Sequence, residues 1–292
     1  MAEQATIDTP VIEPLDRTFG ARVTNVDLAN MDNATWQTVH QAFLDYGVLV
    51  FPGQHLSEED QIAFAERFGE IEPVSVAGKL TPISNILPDG RLMDTGTHFM
   101  NVMKGNEGWH TDSSYMDLAA KASILTAHIV PESGGETEWA DMRDAYDALD
   151  DAMKARIANL KAYHSLRHSQ RKIGHDGKTG ASYGFHDEVP PLRPLVKIHP
   201  ETGRPALYIG RHAYGIPGLS EAESEQLLDD LLTFACQPHR TYCHPWQPGD
   251  VVLWDNRCVL HRARPYDRRE GRLMKHTRVK GERATEFVAY GT

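Results

Sequence analysis

The run Trp109-His110-Thr111-Asp112 carries the strongest chemical signal in this 292-residue chain. In extended backbone, residues two apart project to one face, so His110 and Asp112 can offer an imidazole and a carboxylate to one ion. A second imidazole from a distant strand would complete two histidines and one carboxylate on one face of a metal. That set leaves positions open for reactants and is the ligand pattern of non-haem iron(II) oxygenases. His261, in the run WDNRCVLHR at 254–262, is read as the third ligand. The pair alone is a weak signal, because a chain with 15 histidines produces such spacings by chance.

Two neighbours sharpen the reading. Arg272 lies eleven residues after His261, near the start of a strand-like run at 273–279. A buried arginine there would clamp a dicarboxylate with its planar fork, whereas an exposed one would be a surface ion pair. Thr137 follows Gly134-Gly135-Glu136, and its hydroxyl can donate to the same carboxylate, although Gly-Gly before a polar residue is also an ordinary turn. Two other classes share part of this pattern. A zinc hydrolase uses three such ligands plus a water but has no need of Arg272 and Thr137. A non-catalytic cupin-like binding protein has no need of all three ligands.

The elements that must position these residues are short. Strand-like runs lie at 20–26, 48–51, 83–87, 122–130, 195–199, 206–210, 251–254 and 273–279. Asp32 or Asn33 caps a helix reaching Tyr46, with Trp36, Val39 and Phe43 at helical spacing. Ser57 with Asp60 opens a second helix, Ser220 caps a third over 221–235, and 142–158 is helical. Many short strands with flanking helices predict a mainly β fold, a double-stranded β-helix of the jelly-roll, cupin-like barrel type. No repeat or linker divides the chain, so 1–292 reads as one domain. Glycine- and proline-punctuated stretches at 74–108 and 168–194 read as lid-like loops.

Composition excludes several classes. The net charge of −11 argues against nucleic acid or an anionic membrane as partner, without excluding a small acid held in a local basic pocket. No run approaches the ~20 apolar residues that span a bilayer. Residues 1–8 carry Glu3 and Asp8 and no apolar run, unlike a secretory signal. Cys236, Cys243 and Cys258 match no zinc-finger spacing and read as reduced thiols of a cytoplasmic protein. The composition leaves room for a homo-oligomer.

Three stretches together resemble the taurine dioxygenase and 2,4-dichlorophenoxyacetate dioxygenase family: WHTDSSY at 109–115, PESGGETEWADMRDAYDAL at 131–149 and GDVVLWDNRCVLHR at 249–262. The resemblance extends from residue 15 to about residue 281. It implies Fe(II) on His110, Asp112 and His261. It implies 2-oxoglutarate as co-substrate, its distal carboxylate on Arg272 and Thr137 with Trp254 close by, and O2 as oxidant. It also implies hydroxylation rather than halogenation, because Asp112 fills the position that halogenating relatives leave small. The taurine enzyme has a further arginine four residues after the carboxylate-binding one; here that residue is His276, which disfavours a sulfonate. The stretches 191–219 and LMKHTRV at 273–279 are similar to the (S)-selective phenoxypropionate subgroup. That likeness implies a small organic acid substrate, an aryloxyalkanoate cleaved to a phenol and a 2-oxo acid, with its carboxylate on Arg211 and Arg278. Another small acid, a sulfonate or sulfate ester, is the alternative. In a regular strand Arg278, six residues past Arg272, faces the same side, while Arg211 reaches in from the rim.

Overall fold

The computed structural model describes residues 9–74 and 78–291. Residues 1–8, read above for a signal segment, and 75–77 of the first lid-like stretch lie outside the described residues, as does 292. The described strands, in chain order, are β1 (Val11–Pro14), β2 (Ala21–Thr24), β3 (Val48–Phe51), β4 (Thr81–Ser84), β5 (Ala120–Ile129), β6 (Thr137–Asp141), β7 (Lys161–His164) and β8 (Leu192–Pro194). There follow β9 (Val196–Ile198), β10 (Pro205–Leu207), β11 (Ala213–Tyr214), β12 (Thr241–His244), β13 (Val251–Asp255), β14 (Val259–Ala263) and β15 (Leu273–Lys280). The helices used below are α1 (Asn33–Tyr46), α2 (Glu58–Glu66), α3 (His98–Gly105), α4 (Met142–Asp147), α5 (Asp151–Ile157), α6 (Leu166–Lys172) and α7 (Glu221–Ala235).

The fold is mainly β with helices outside. The largest sheet runs β1-β2-β3-β13-β5-β15-β4, and a three-stranded sheet runs β12-β6-β14. Two smaller groups, β11-β7-β8 and β10-β9, complete the described pairings, so these strands make four separate sheets rather than one closed barrel. Strand alternation divides the large sheet's side chains between two cores. Val50, Leu125, Val252, Trp254 and Met274 face a core shared with Trp139 and Val259 of the small sheet. Leu49, Ile124, Leu253 and Val279 face the opposite core, filled by Phe43 of α1 and Phe64 of α2. Covered on both faces, β3 and β13 are buried at every residue, which is why they read as unbroken apolar runs.

The helix starts follow the predicted chemistry. Asp32 accepts from Thr35 N at 2.7 Å, and Ser57 accepts from Asp60 N at 3.1 Å. Ser220 and Glu223 form a reciprocal capping box at the start of α7. The α1 helix stops at Gly47, whose φ of 72° is the left-handed conformation that glycine tolerates. The 142–158 region is two helices, α4 and α5, because Asp150 starts a new cap on Met153 N. The lid-like stretches are not bare loops: the first contains β4 and α3, and the second begins in α6 and ends in β8.

Registry matters most at β15. Met274 pairs with Ala127 and Leu273 with Ile129, so the extra residue, His128, falls in β5. Bulging β5 rather than β15 preserves alternation along β15. Arg272, just before the strand, and then Met274, His276 and Arg278 all face inward, while Lys275 and Thr277 meet Gln61 of α2 on the outer side.

One buried group predicts an acid sensitivity. His164 of β7 is fully buried, neither ring nitrogen has a partner among the described residues, and it stacks on Tyr208 with centroids 5.6 Å apart. Burial, helped by Arg193, pushes its pKa down to about 3. Its folded value lies below its unfolded value near 6.5, so the unfolded chain binds the extra proton. The stability contribution is therefore complete above pH 6.5 and is lost as pH falls from there toward 3. In chelator, urea midpoints should drop between pH 7 and pH 5, and His164→Leu should flatten that slope. An unchanged slope in the variant would refute this assignment.

Candidate functional site

His261 sits on β14 opposite Trp139 of β6. His110 faces it through an isolated antiparallel bridge: His110 N donates to His261 O at 2.9 Å, and His261 N donates to His110 O at 2.8 Å. The two rings therefore stand 4.1 Å apart, centroid to centroid. Asp112 follows in a turn rather than a strand, and Ser113 beyond it adopts φ 51°, a strained value for a side-chain-bearing residue. The turn still brings Asp112 to the same side as His110. One ligand atom from each of His110, Asp112 and His261 lies within 4.8 Å of the others, and all three residues are buried.

Each donor is held in a ligating form. His110 Nδ1 lies 2.8 Å from Gly108 O, an acceptor, which places the proton there and leaves Nε2 bare. Burial keeps both imidazoles neutral, His261 at about 4 and His110 well below its usual value. For Asp112 burial opposes the charge, but the Arg278 guanidinium beside it holds the carboxyl far below the usual carboxylate range. Its Oδ2 accepts from Ser123 Oγ at 2.7 Å and its Oδ1 from Arg278 Nη2 at 2.8 Å.

Asn256 organises the surrounding backbone. Its Oδ1 accepts from Asp112 N at 3.2 Å and from Trp254 Nε1 at 3.1 Å, and its Nδ2 donates to Ser123 Oγ at 2.9 Å. Thr111 Oγ1 donates to Asn256 O at 2.7 Å. Trp254 in turn packs on His261 and lies parallel to His276, with ring centroids at 4.7 and 5.7 Å. Another trio, His199, Asp255 and Cys258, also has metal-like spacing. Its carboxylate is already engaged by Arg257 at 2.8 and 2.6 Å and by His199 at 2.9 Å, so it serves structure.

Arg272 is a buried cation looking for an anion. Its Nη2 donates to Gly135 O at 3.0 Å, its Nε has no partner, and no carboxylate bonds it among the described residues. Burial lowers its pKa to about 10, so it stays charged at neutral pH. Gly135 is required here: its φ is 71°, and a Cβ would lie 3.1 Å from Arg272 Nε. Thr137, two residues on, accepts from Trp246 Nε1 at 3.0 Å, which leaves its own hydroxyl proton to donate.

Above the triad lies a cavity of about 640 Å³. His110, Asp112, His276 and Arg278 form its polar floor, and Phe99, Val102 and Met103 from α3 with Leu166 of α6 supply apolar wall. Arg278 lines this cavity, but its guanidinium already serves Asp112 at 2.8 Å and Ser113 Oγ at 2.9 Å, with Glu72 at 3.7 Å. Arg211 is placed differently. It lines a neighbouring cavity of about 720 Å³ with Lys104, His168 and Tyr214, and its Nη2 donates to Ser169 O at 3.0 Å. The predicted pair of arginines therefore does not converge on one point.

Sequence reading missed several site residues. His212 is given no role by the motifs above. It is buried and tied to Ser169 Oγ at 2.8 Å, and it lines the triad's cavity 5.8 Å from the His110 ring. Its adjacency to Arg211 was the one available hint. Ser123 lies inside an apolar strand, and Glu72 and Tyr183 lie far from any motif, so nothing local marks them.

Residues 12–278 match the model of the family described as taurine catabolism dioxygenase TauD, TfdA family. The chain is 54% identical over 281 residues to the (S)-phenoxypropionate/alpha-ketoglutarate-dioxygenase of Sphingobium herbicidovorans, covering 94% of this chain and 96% of that one. It is 40% identical over 269 residues to the alpha-ketoglutarate-dependent 2,4-dichlorophenoxyacetate dioxygenase of Cupriavidus pinatubonensis, covering 88% and 93%. Among solved structures, AAD-2 in complex with Mn(II) and N-oxalylglycine superposes with a TM-score of 0.87 at 38% identity, over 94% of this chain and 97% of that one. The matched span takes in both histidines, the carboxylate between them and both Arg272 and Arg278, and the chain belongs to the taurine catabolism dioxygenase TauD, TfdA family.

Proposed function

We propose that this protein is an Fe(II)- and 2-oxoglutarate-dependent dioxygenase that hydroxylates a small organic carboxylate, with aryloxyalkanoates as the substrate class. The observation that carries the reading is the convergence of His110, Asp112 and His261, the first two lining a largely apolar cavity, with Arg272 buried and bonded to no carboxylate among the described residues. The donor set, two neutral imidazoles and one carboxylate, suits iron(II). Arg272 and Thr137 suit the distal carboxylate of 2-oxoglutarate, beside Trp254; a zinc hydrolase would leave that pair unused. Bound iron and 2-oxoglutarate supply the oxidising power, with O2 consumed, succinate and CO2 released, and one oxygen atom inserted into a substrate C–H bond.

The chain's own contribution is placement. Asn256 and Ser123 fix the Asp112 carboxylate, Gly108 fixes the His110 tautomer, and the α3 wall excludes water from the reacting carbon. Hydroxylation at the carbon bearing an ether oxygen gives a hemiketal that collapses to a phenol and a 2-oxo acid. The identity to phenoxypropionate and dichlorophenoxyacetate enzymes favours that outcome over a sulfonate or sulfate ester. We read the two principal facing sheets as a double-stranded β-helix, residues 1–292 as one catalytic domain, and the protein as cytoplasmic. In support, no helix among the described residues is long and apolar enough to cross a membrane.

The deciding assay offers Fe(II), 2-oxoglutarate, O2 and a panel of aryloxyalkanoates, sulfonates and sulfate esters, reading succinate and phenol. No succinate above background with any aryl acid would overturn the reading. Arg211 and Arg278 should separate in the same assay. Arg211→Ala, acting from the neighbouring cavity, should raise the substrate KM less than Arg278→Ala does and leave 2-oxoglutarate affinity nearly unchanged. Arg278→Ala should raise the KM and also weaken iron binding about 10- to 100-fold, because Arg278 orients Asp112. Wild-type kinetics in both variants would remove these arginines from the site.

A further inference from the structure

We propose that Tyr183 and Glu72 form a latch through which the 168–194 segment positions Arg278 and Asp112 for the substrate. This rests on the dioxygenase reading above. Glu72 is tied to the end of β15, where its backbone N donates to Arg278 O at 2.7 Å. Its side chain is buried, and its two oxygens have different partners: Oε1 accepts from the Tyr183 hydroxyl, and Oε2 accepts from Ser113 Oγ at 2.7 Å. Ser113 Oγ itself accepts from Arg278 Nη1 at 2.9 Å, and Arg278 Nη2 donates to Asp112 Oδ1 at 2.8 Å. An unbroken series of polar contacts therefore runs from a hydroxyl in the lid segment to the candidate metal ligand.

The physical logic is a competition. Two carboxylates, Glu72 at 3.7 Å and Asp112 at 2.8 Å, share one guanidinium. A buried carboxylate that loses a donor must find another, and Arg278 is the cation at hand. With Tyr183 seated, Glu72 is satisfied by two hydroxyls and Arg278 is directed to Asp112 and the cavity. With Tyr183 withdrawn, Glu72 draws Arg278 away from both. Tyr183 also lines the cavity, and the guanidinium lies 6.0 Å from its ring centroid, so the seated ring confines Arg278 from above. Glu72 and Tyr183 are thus positioning residues, acting through Arg278.

The test uses full-length Tyr183→Phe, which removes only the hydroxyl, and Glu72→Gln beside Glu72→Ala. Tyr183→Phe should raise the KM for an aryloxyalkanoate roughly tenfold, with kcat falling by less. Succinate should then exceed phenol, because 2-oxoglutarate is consumed without a well-placed substrate. The visible charge-transfer band of the anaerobic Fe(II)–2-oxoglutarate form should need correspondingly more substrate to shift. Limited proteolysis should cut the 168–194 segment faster. Glu72→Gln, which keeps an acceptor for one hydroxyl, should fall between wild type and Glu72→Ala in KM. Wild-type KM, coupling and cutting rate in Tyr183→Phe would overturn the latch. If the wild-type protein itself forms no succinate with any acid, the dioxygenase reading fails. Cutting rates then decide the latch alone, unchanged rates refuting it and faster cutting supporting it.

Discussion

Asp112→Ala should bind neither Fe(II) nor Co(II) at concentrations that saturate the wild-type protein, and should form no succinate above the metal-free background. Two neutral imidazoles remain in this variant, but the only anionic donor is gone, along with the charge that attracts a divalent cation. The substitution also reaches the fold. Arg278 is left buried with Glu72 as its one carboxylate, and Ser123 loses its acceptor. Removing one partner of a buried pair typically costs about 3–5 kcal/mol, so the melting temperature should fall as well. Asp112→Asn separates the two effects. It preserves the shape and one acceptor for Ser123, so it should recover much of the stability and little of the metal affinity. Titration with Co(II), followed optically, checks this without requiring turnover. Wild-type Co(II) affinity in Asp112→Ala would remove the His110–Asp112–His261 assignment.

Arg272 predicts the opposite balance between stability and binding. A buried guanidinium without a carboxylate destabilises the ligand-free protein, so an apolar residue of similar reach should fit its slot better. Arg272→Met should therefore melt at or above the wild-type temperature when 2-oxoglutarate is absent. Its KM for 2-oxoglutarate should nevertheless rise roughly 10- to 150-fold, the cost of a lost charge-assisted contact. The ligand-induced thermal shift makes the contrast direct. At a concentration of about 100 times the dissociation constant, a ligand stabilises by ~2.7 kcal/mol, and the variant should lose most of that shift at the same concentration. A variant that keeps both its 2-oxoglutarate KM and its thermal shift would place the distal carboxylate elsewhere. Thr137→Val should show a smaller version of the same effect, because it removes one neutral donor.

The sequence was most legible where local chemistry and fold agree. The caps at Asp32, Ser57 and Ser220 and the doubly covered strands β3, β5 and β13 were readable from spacing and apolar runs. The small sheet was not, because β6, β12 and β14 mix polar and apolar residues over four or five positions. Yet β14 carries His261, which was found by motif rather than by periodicity. His110 and Asp112 were brought together for a partly different reason than alternation predicts, since a bridge and a strained turn place them. Contacts between residues distant in sequence stayed hidden. Ser123 looks like an ordinary strand serine until Asp112 folds over it, and the separate cavities of Arg211 and Arg278 emerge only once α3 and α6 are in place.

The inward stripe of β15 has a consequence for how this site diversifies through evolution. Arg272 and Arg278 are six residues apart, a span of ~20 Å along a strand, with Met274 and His276 facing inward between them. Substitutions at 276 can reshape the cavity without touching Arg272, the contact proposed for 2-oxoglutarate, whereas Arg278 also holds Asp112. A single insertion or deletion between 272 and 278 would instead turn one end of the stripe outward. Descendants of this chain can thus vary some letters of β15, while its length is inherited as a fixed measure.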